Sequence, residues 1–147
     1  MRGKFVAKNQ KETELLAQKF AEELRGGEVI AFFGDLGSGK TTFTSALAKA
    51  LGCPETVTSP TFVIMNRYSG RLVVNHFDMY RINDFDGLYS TGYFDVAGQP
   101  DSVTLIEWSE NIIDLIPQPL YKIVVSQGTT LDERIFVFIQ FTEDEKA

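Results

Sequence analysis

The sequence predicts a three-layer α/β sandwich whose central sheet is mixed. A short apolar run at residues 28–33 precedes a glycine-rich segment, and the apolar residues of 42–51 then follow at helical spacing. Residues 62–68 and 71–78 have strand character and flank the turn signal at 69–70, which predicts an antiparallel hairpin. A hairpin directly after a strand–loop–helix unit departs from a plain succession of βα units. We therefore expect parallel and antiparallel strand pairs in one sheet.

The first residues predict a strand and an amphipathic helix. Residues 4–8 favour a strand, and residues 9–24 favour a helix because Leu16, Phe20 and Leu24 recur every four positions. The glycines that follow end this helix. We expect it to pack on the sheet, and it could also close over the base of a nucleotide.

The second half of the chain predicts further elements of both kinds. The expected elements are a short helix and surface loop within 80–101, a strand at 103–106, a helix at 109–116 with Ser109 as N-cap and Pro117 at its end, and strands at 121–126 and 134–141.

Composition and charge exclude several classes of protein. With 147 residues, 44% hydrophobic and 23% charged, the chain can bury a sizeable core, and we expect one domain over residues 1–147. The net charge of −6 argues against direct binding of nucleic acid, which needs clustered lysine and arginine. Any role on nucleic acid is then expected to pass through a partner.

The location expected from the sequence is the cytoplasm. No apolar run approaches the roughly 20 residues that cross a bilayer, so no membrane partner is expected. Residues 1–25 carry charges throughout and lack the apolar core of a signal peptide. The single cysteine, Cys53, cannot form a disulfide within the chain. The charged tail at 142–147 is expected to fray.

Residues 34–41 match the phosphate-binding loop pattern G-x-x-x-x-G-K-[ST] at every fixed position. The flanking strand and helix supply the context that this motif needs, which makes the predicted sandwich P-loop NTPase-like. Glycines let the backbone bend so that its N–H groups meet phosphate oxygens. Lys40 is expected to reach the β- and γ-phosphates of ATP, and the Thr41 hydroxyl is expected to ligate Mg²⁺. The predicted nucleotide-binding residues are Gly34, Gly37, Ser38, Gly39, Lys40, Thr41 and Thr42.

Two acids at strand ends are candidates for the rest of the site. Asp78 ends the second arm of the hairpin, and Glu107 ends the strand at 103–106. A carboxylate in this position meets Mg²⁺ directly or through water. The strand before Glu107 is the more apolar, so Glu107 is the better Walker-B candidate. Asp78 could then hold a water beside the ion's own ligands or orient the attacking water. The predicted catalytic residues are Lys40, Asp78 and Glu107. The only histidine, His76, is expected to be packed and hydrogen-bonded rather than to transfer protons.

Four motifs in order, at residues 34–43, 59–62, 76–81 and 105–108, resemble the bacterial TsaE (YjeE) family, the P-loop ATPase of tRNA threonylcarbamoyladenosine synthesis. The resemblance spans about residues 9–116. It implies a slow ATPase that acts with TsaD and TsaB, which place a threonylcarbamoyl group on the adenosine beside the anticodon.

Roles for particular residues also follow from the resemblance. It implies that Thr41 and Glu107 hold Mg²⁺, that residues 37–42 wrap the phosphates, and that 59–61 form a first switch loop. The segment around Asp78 resembles part of the family's catalytic apparatus. Residues 83–94 lack the family's usual pair of glutamates, a departure that bears on partner docking more than on nucleotide binding.

Two other functions compete with this interpretation. A small-molecule or nucleotide kinase shares the loop but usually needs an arginine-bearing lid, which the sequence does not indicate. A nucleotide-gated binding protein would keep affinity for ATP without useful hydrolysis. For an arginine finger, Arg81 is the nearest candidate in the chain, and a partner could supply one instead.

Overall fold

The computed structural model describes residues 1–34, 39–54, 57, 65–116 and 121–141. Its strands are β1 (Gly3–Ala7), β2 (Val29–Phe33), β3 (Met65–Tyr68), β4 (Val73–Asp78), β5 (Ser102–Glu107), β6 (Tyr121–Gln127) and β7 (Arg134–Gln140). Its α-helices are α1 (Gln10–Glu23), α2 (Lys40–Ala50), α3 (Phe85–Ser90) and α4 (Tyr93–Val96).

All seven described strands join one mixed sheet in the order β1-β7-β6-β2-β5-β4-β3. The central strand β2 runs parallel to β5 and β6, and β4 runs parallel to β5. The pairs β3–β4, β6–β7 and β1–β7 are antiparallel. The predicted mixed sheet and the hairpin are therefore confirmed.

Helices cover both faces of the sheet, as predicted. On one face α1 and α2 pack on the strands, and the ring of Phe20 lies 5.2 Å from that of Phe138, centroid to centroid. On the other face Leu88 and Tyr93 of α3 and α4 join a second core cluster around Phe77. Alternate residues of β2 belong to opposite clusters, since Ile30 lies in the first and Val29 in the second.

The N-terminal helix forms for the reason that its pattern indicates. Leu16, Phe20 and Leu24 are all buried against the sheet, and the side chain of Asn9 accepts the backbone N–H of Glu12 as an N-cap. No described helix is both long enough and apolar enough to cross a membrane.

The prediction of a helix at 109–116 is wrong. The chain there forms two short 3₁₀ turns, Ser109–Asn111 and Ile113–Leu115, and the side chain of Ser109 caps neither. The Ser109 hydroxyl instead donates to the backbone oxygen of Phe32 on β2, 2.9 Å away. This tertiary bond fastens the turn to the sheet and replaces the local cap that the sequence favoured.

Several predicted features lie outside the described residues. These are Gly37 and Ser38 of the loop, the segment 59–61, the first part of the strand expected at 62–68, the proline expected to end the helix at 109–116, and the tail at 142–147.

Candidate functional site

The candidate site lies at one edge of the sheet, where β2, β5 and β4 end side by side. Because these strands are parallel neighbours, their carboxyl ends meet there. Asp78 and Glu107, the last residues of β4 and β5, are direct partners in the strand register. The phosphate-binding motif starts immediately after β2, at Gly34. The two acids and the motif, far apart in sequence, thus converge on one edge.

The last glycine of the motif sets the start of α2. Gly39 is the N-cap of this helix and has a φ of 110°, a left-handed conformation that favours glycine. No side chain caps α2 in the described part of the chain. Gly39 has no side chain that could accept from the first N–H groups of the helix, and these groups together with the helix dipole suit an anion.

Lys40 bridges the two ends of the motif. Its Nζ donates to the backbone oxygen of Gly34 at 2.7 Å, and it lies 4.6 Å from the centre of the Trp108 ring. The Lys40 side chain is buried, and these two contacts hold its ammonium group between a backbone oxygen and an aromatic face.

A cleft of about 310 Å³ opens beside these residues. It is lined by four residues of the motif and the start of α2, by Glu107 and Trp108 from the end of β5, and by polar residues of α1 and of β7 with the turn before it. The lining residues are Gln10, Thr13, Gly39, Lys40, Thr41, Thr42, Glu107, Trp108, Asp132 and Arg134. Of the predicted site residues, Asp78 lies next to Glu107 but is not among the described residues that line the cleft.

Residues of α1 and β7 also line the cleft, and of these two elements only α1 was expected from the sequence. Gln10 and Thr13 confirm that the leading helix borders the cleft, as one of its two expected roles requires. Arg134 reaches the cleft because β7 pairs with β6, which lies beside β2. The Arg134 guanidinium donates to the backbone oxygens of Leu131 and Glu133. Among the described arginines, Arg134 and not Arg81 lines the cleft.

Glu107 is held by a neighbour on the next strand. Its Oε2 accepts a hydrogen bond from Nε2 of His76 at 2.8 Å, and both side chains are buried. His76 is packed and hydrogen-bonded, as expected, but the sequence did not predict that its partner would be Glu107. The other ring nitrogen, Nδ1, is buried without a hydrogen-bond partner among the described residues. The bond therefore restricts the orientation of the Glu107 carboxylate.

Trp108 adopts a left-handed backbone conformation, with a φ of 59°. Such a conformation in a non-glycine residue costs about 1 kcal/mol or more and is common beside functional sites. It ends β5 abruptly and brings the indole over Lys40. The ring also meets Tyr80 edge-on at 4.9 Å between centroids.

Asp78 has an altered acidity. Burial raises the pKa of its carboxyl above the ordinary value, and the charge of Glu107 raises it further. The N–H of Tyr80, which donates to Oδ1 at 2.9 Å, and the neighbours His76 and Lys40 partly oppose this rise. The folded state therefore favours the protonated carboxyl of Asp78 more than the unfolded chain does.

Replacing Asp78 by Asn should stabilise the fold at neutral pH. A raised pKa in the folded state means that wild-type stability falls as pH rises above the ordinary aspartate range, about 4. Asparagine cannot ionise, so the variant avoids the cost of a buried negative charge. Its side-chain oxygen can still accept a hydrogen bond from the Tyr80 N–H. Thermal unfolding between pH 4 and 8 should give a higher melting temperature for the variant at pH 7 and a smaller difference near pH 4. Asp101→Asn, at an exposed position, is the control, and a wild type that melts higher at pH 7 would contradict this account.

The fold and the site together assign the protein to the P-loop NTPase-like class of α/β proteins. The chain belongs to the TsaE family. The model of this family, described as threonylcarbamoyl adenosine biosynthesis protein TsaE, matches residues 7–135. Its curated relatives include the tRNA threonylcarbamoyladenosine biosynthesis proteins TsaE of Bacillus subtilis and Aquifex aeolicus. The first is 39% identical over 132 residues, covering 88% of this chain and 80% of the relative. The second is 41% identical over 110 residues, covering 71% and 75%.

A solved structure agrees with the fold. The crystal structure of Bacillus subtilis YdiB superposes on this chain with a TM-score of 0.78 and 33% sequence identity. The match covers 99% of this chain and 90% of that one. The predicted P-loop NTPase-like α/β class is therefore confirmed.

Proposed function

We propose that this protein is a Mg²⁺-dependent ATPase that supports transfer of a threonylcarbamoyl group to the adenosine next to the anticodon of tRNA. It acts in the cytoplasm with TsaD and TsaB. One observation carries the proposal: Lys40 and Thr41 of the P-loop motif line a single cleft together with Glu107 at the end of β5. Membership of the TsaE family supports the pathway. The acidic character of the chain agrees with tRNA being held by the partners.

The start of α2 and the loop before it bind the phosphates of ATP in this proposal. The helix begins at Lys40, so Thr41 and Thr42 lie in its first turn, where backbone N–H groups point away from the helix. The Lys40 ammonium balances charge that builds on the γ-phosphate during hydrolysis. The full proposed set is Gly34, Gly37, Ser38, Gly39, Lys40, Thr41 and Thr42.

Thr41 and Glu107 suit a magnesium ion that arrives with the nucleotide. Both line the cleft, and Mg²⁺ prefers hydroxyl and carboxylate oxygens in combination with phosphates and waters. Among the described residues, no group of three or more His, Cys, Asp or Glu side chains could hold a metal ion. When bound, the ion would neutralise phosphate charge.

Asp78 is proposed to orient the attacking water. Its position beside Glu107 in the strand register supports this role. Its hydrogen bond from Tyr80 fixes the carboxylate in place.

His76 is expected to matter through Glu107. Replacing it by Phe keeps a ring in the core but removes the Nε2 donor, so Glu107 loses its orientation. We expect activity or apparent Mg²⁺ affinity to fall about 10–100-fold, as for other residues that orient metal ligands. His76→Gln places an amide N–H where Nε2 lies and should recover much of the loss. The measurement is the Mg²⁺ dependence of ATP turnover.

Thr104→Val is the matched control for the His76 variants. Thr104 is a buried polar residue of β5, and its hydroxyl has no hydrogen-bond partner in the described part of the chain. If the Phe variant keeps the wild-type Mg²⁺ dependence, or if Gln behaves no better than Phe, His76 has only a packing role.

Phosphate release from ATP tests the proposed function. The rate should be low for the protein alone and should rise strongly with purified TsaB–TsaD and tRNA. Turnover that appears only when a small acceptor molecule is added would support the kinase instead. Nucleotide binding with no phosphate release, even with the partners present, would support the nucleotide-gated binding protein.

A further inference from the structure

Helices α3 and α4 carry an exposed aromatic cluster, which we call the aromatic face: Phe85, Tyr89 and Phe94. The exposed fractions of these residues are 54%, 67% and 37%. Their rings contact one another, with centroids 5.7 Å apart for Phe85 and Phe94, 6.2 Å for Phe85 and Tyr89, and 6.4 Å for Tyr89 and Phe94. Three large rings in mutual contact at the surface form a patch rather than scattered apolar residues.

The aromatic face is not needed to cover the sheet. Leu88 and Tyr93 cover the sheet here, since both are buried and the centre of the Tyr93 ring lies 5.4 Å from that of Phe77 on β4. Phe85 and Tyr89 are four residues apart and share the other side of α3. The helix therefore has two apolar sides, of which only one is used within the described fold.

Carboxylates surround the aromatic face in sequence. Asp84, Asp86 and Asp95 are exposed, and none forms an ion pair with a described residue. The sequence contains no lysine or arginine between Arg81 and Lys122. The α3–α4 segment thus combines exposed rings with carboxylates that pair with no lysine or arginine among the described residues.

We infer that the aromatic face is a docking surface for a partner protein that presents arginine or lysine side chains. Aromatic rings attract cations over their faces, and carboxylates accept two hydrogen bonds from one guanidinium group. Aromatic and arginine residues also dominate the energetics of protein interfaces. A nucleic acid is disfavoured because its phosphates would meet three carboxylates. The inference rests on the proposed function, in which this partner surface belongs to the TsaB–TsaD pair.

The segment between the site and the aromatic face is short. Six residues, 79–84, separate Asp78 at the end of β4 from Phe85 at the start of α3. The N–H of Met79 donates to the backbone oxygen of Glu107 at 3.0 Å, so this segment begins in contact with the site. A partner bound to α3 would therefore contact the stretch of chain that leads directly from Asp78.

Binding of the full chain to purified TsaB–TsaD tests the inference. Tyr89→Ala and Asp86→Lys should each weaken binding at least about 10-fold while the ATP turnover of the protein alone stays unchanged. Leu15→Ala and Glu22→Lys are matched controls, because they make the same kinds of change at exposed positions of α1, on the opposite face of the sheet. Binding of the wild type should also weaken as the salt concentration rises. Binding of the Asp86→Lys variant should weaken less steeply.

The outcomes separate this inference from the proposed function. Tight wild-type binding that neither variant weakens would overturn the docking surface alone. Wild-type protein that neither binds TsaB–TsaD nor is stimulated by it would overturn the proposed function and this assignment together. Loss of binding to isolated tRNA, with TsaB–TsaD binding retained, would overturn a protein partner in favour of RNA.

Discussion

Replacing Glu107 by Gln is expected to lower kcat for ATP hydrolysis by about 10²–10³-fold, the usual size when one charge-stabilising group is removed from a site. Glu107 is 4% exposed, ends β5 and lines the cleft with Thr41. Glutamine keeps the shape and can accept the His76 N–H through its amide oxygen, so the fold should be retained. The change removes only the negative charge, which is the property that a magnesium ligand needs.

Glu110→Gln is the control for this variant. Glu110 lies three residues further along the chain and is exposed, so the same chemical change there should leave turnover unaffected. Phosphate release is measured over a range of Mg²⁺ concentrations, with thermal unfolding to verify the fold. If Glu107→Gln retains wild-type kcat and Mg²⁺ dependence, Glu107 is not the metal acid, and Asp78 becomes the candidate.

Local patterns predicted much of the fold. The strand at 28–33 and the helix after the glycine-rich motif are specified by residues that are neighbours in sequence, and both form. The hairpin could be predicted for the same reason, because its turn and both arms lie within 62–78. The expected helix start at residue 42 is two positions late, since α2 begins at Lys40 directly after the left-handed Gly39.

Tertiary contacts explain what could not be predicted. The helix expected at 109–116 failed because the Ser109 hydroxyl bonds to Phe32 on another strand, a contact 77 positions away in sequence. The left-handed conformation of Trp108 redirects the chain at the same point, and no local signal indicates it.

The site was predicted by residue type but not by its supporting contacts. Lys40, Thr41 and Glu107 follow from motifs, and the structure brings them to one cleft. The contact of His76 with Glu107 depends on the register of β4 against β5, two strands whose sequences do not reveal their alignment. Arg134 and Gln10 reach the cleft through the order of the sheet and the packing of α1, which no short motif encodes.

Replacing Lys40 by Ala is expected to lower kcat/KM for ATP at least about 100-fold, a loss of about 2.7 kcal/mol of transition-state stabilisation. The ammonium is the one positively charged group of the motif, and its Nζ lies 2.7 Å from the backbone oxygen of Gly34. Alanine is a good helix former, so α2 should still form. Lys49→Ala, in the last turn of the same helix, is the control and should retain wild-type kinetics.

The single tryptophan of the chain gives a second measurement for Lys40. Trp108 lines the cleft and lies 4.6 Å from the Lys40 ammonium, so its emission should change when that charge is removed and again when Mg-ATP binds. Lys40→Ala should alter the emission of the free protein and weaken the response to ATP, whereas Lys49→Ala should alter neither. Unchanged emission in Lys40→Ala would contradict the contact itself, and wild-type turnover would contradict the role of Lys40. The two measurements therefore test the geometry of the site and its chemistry separately.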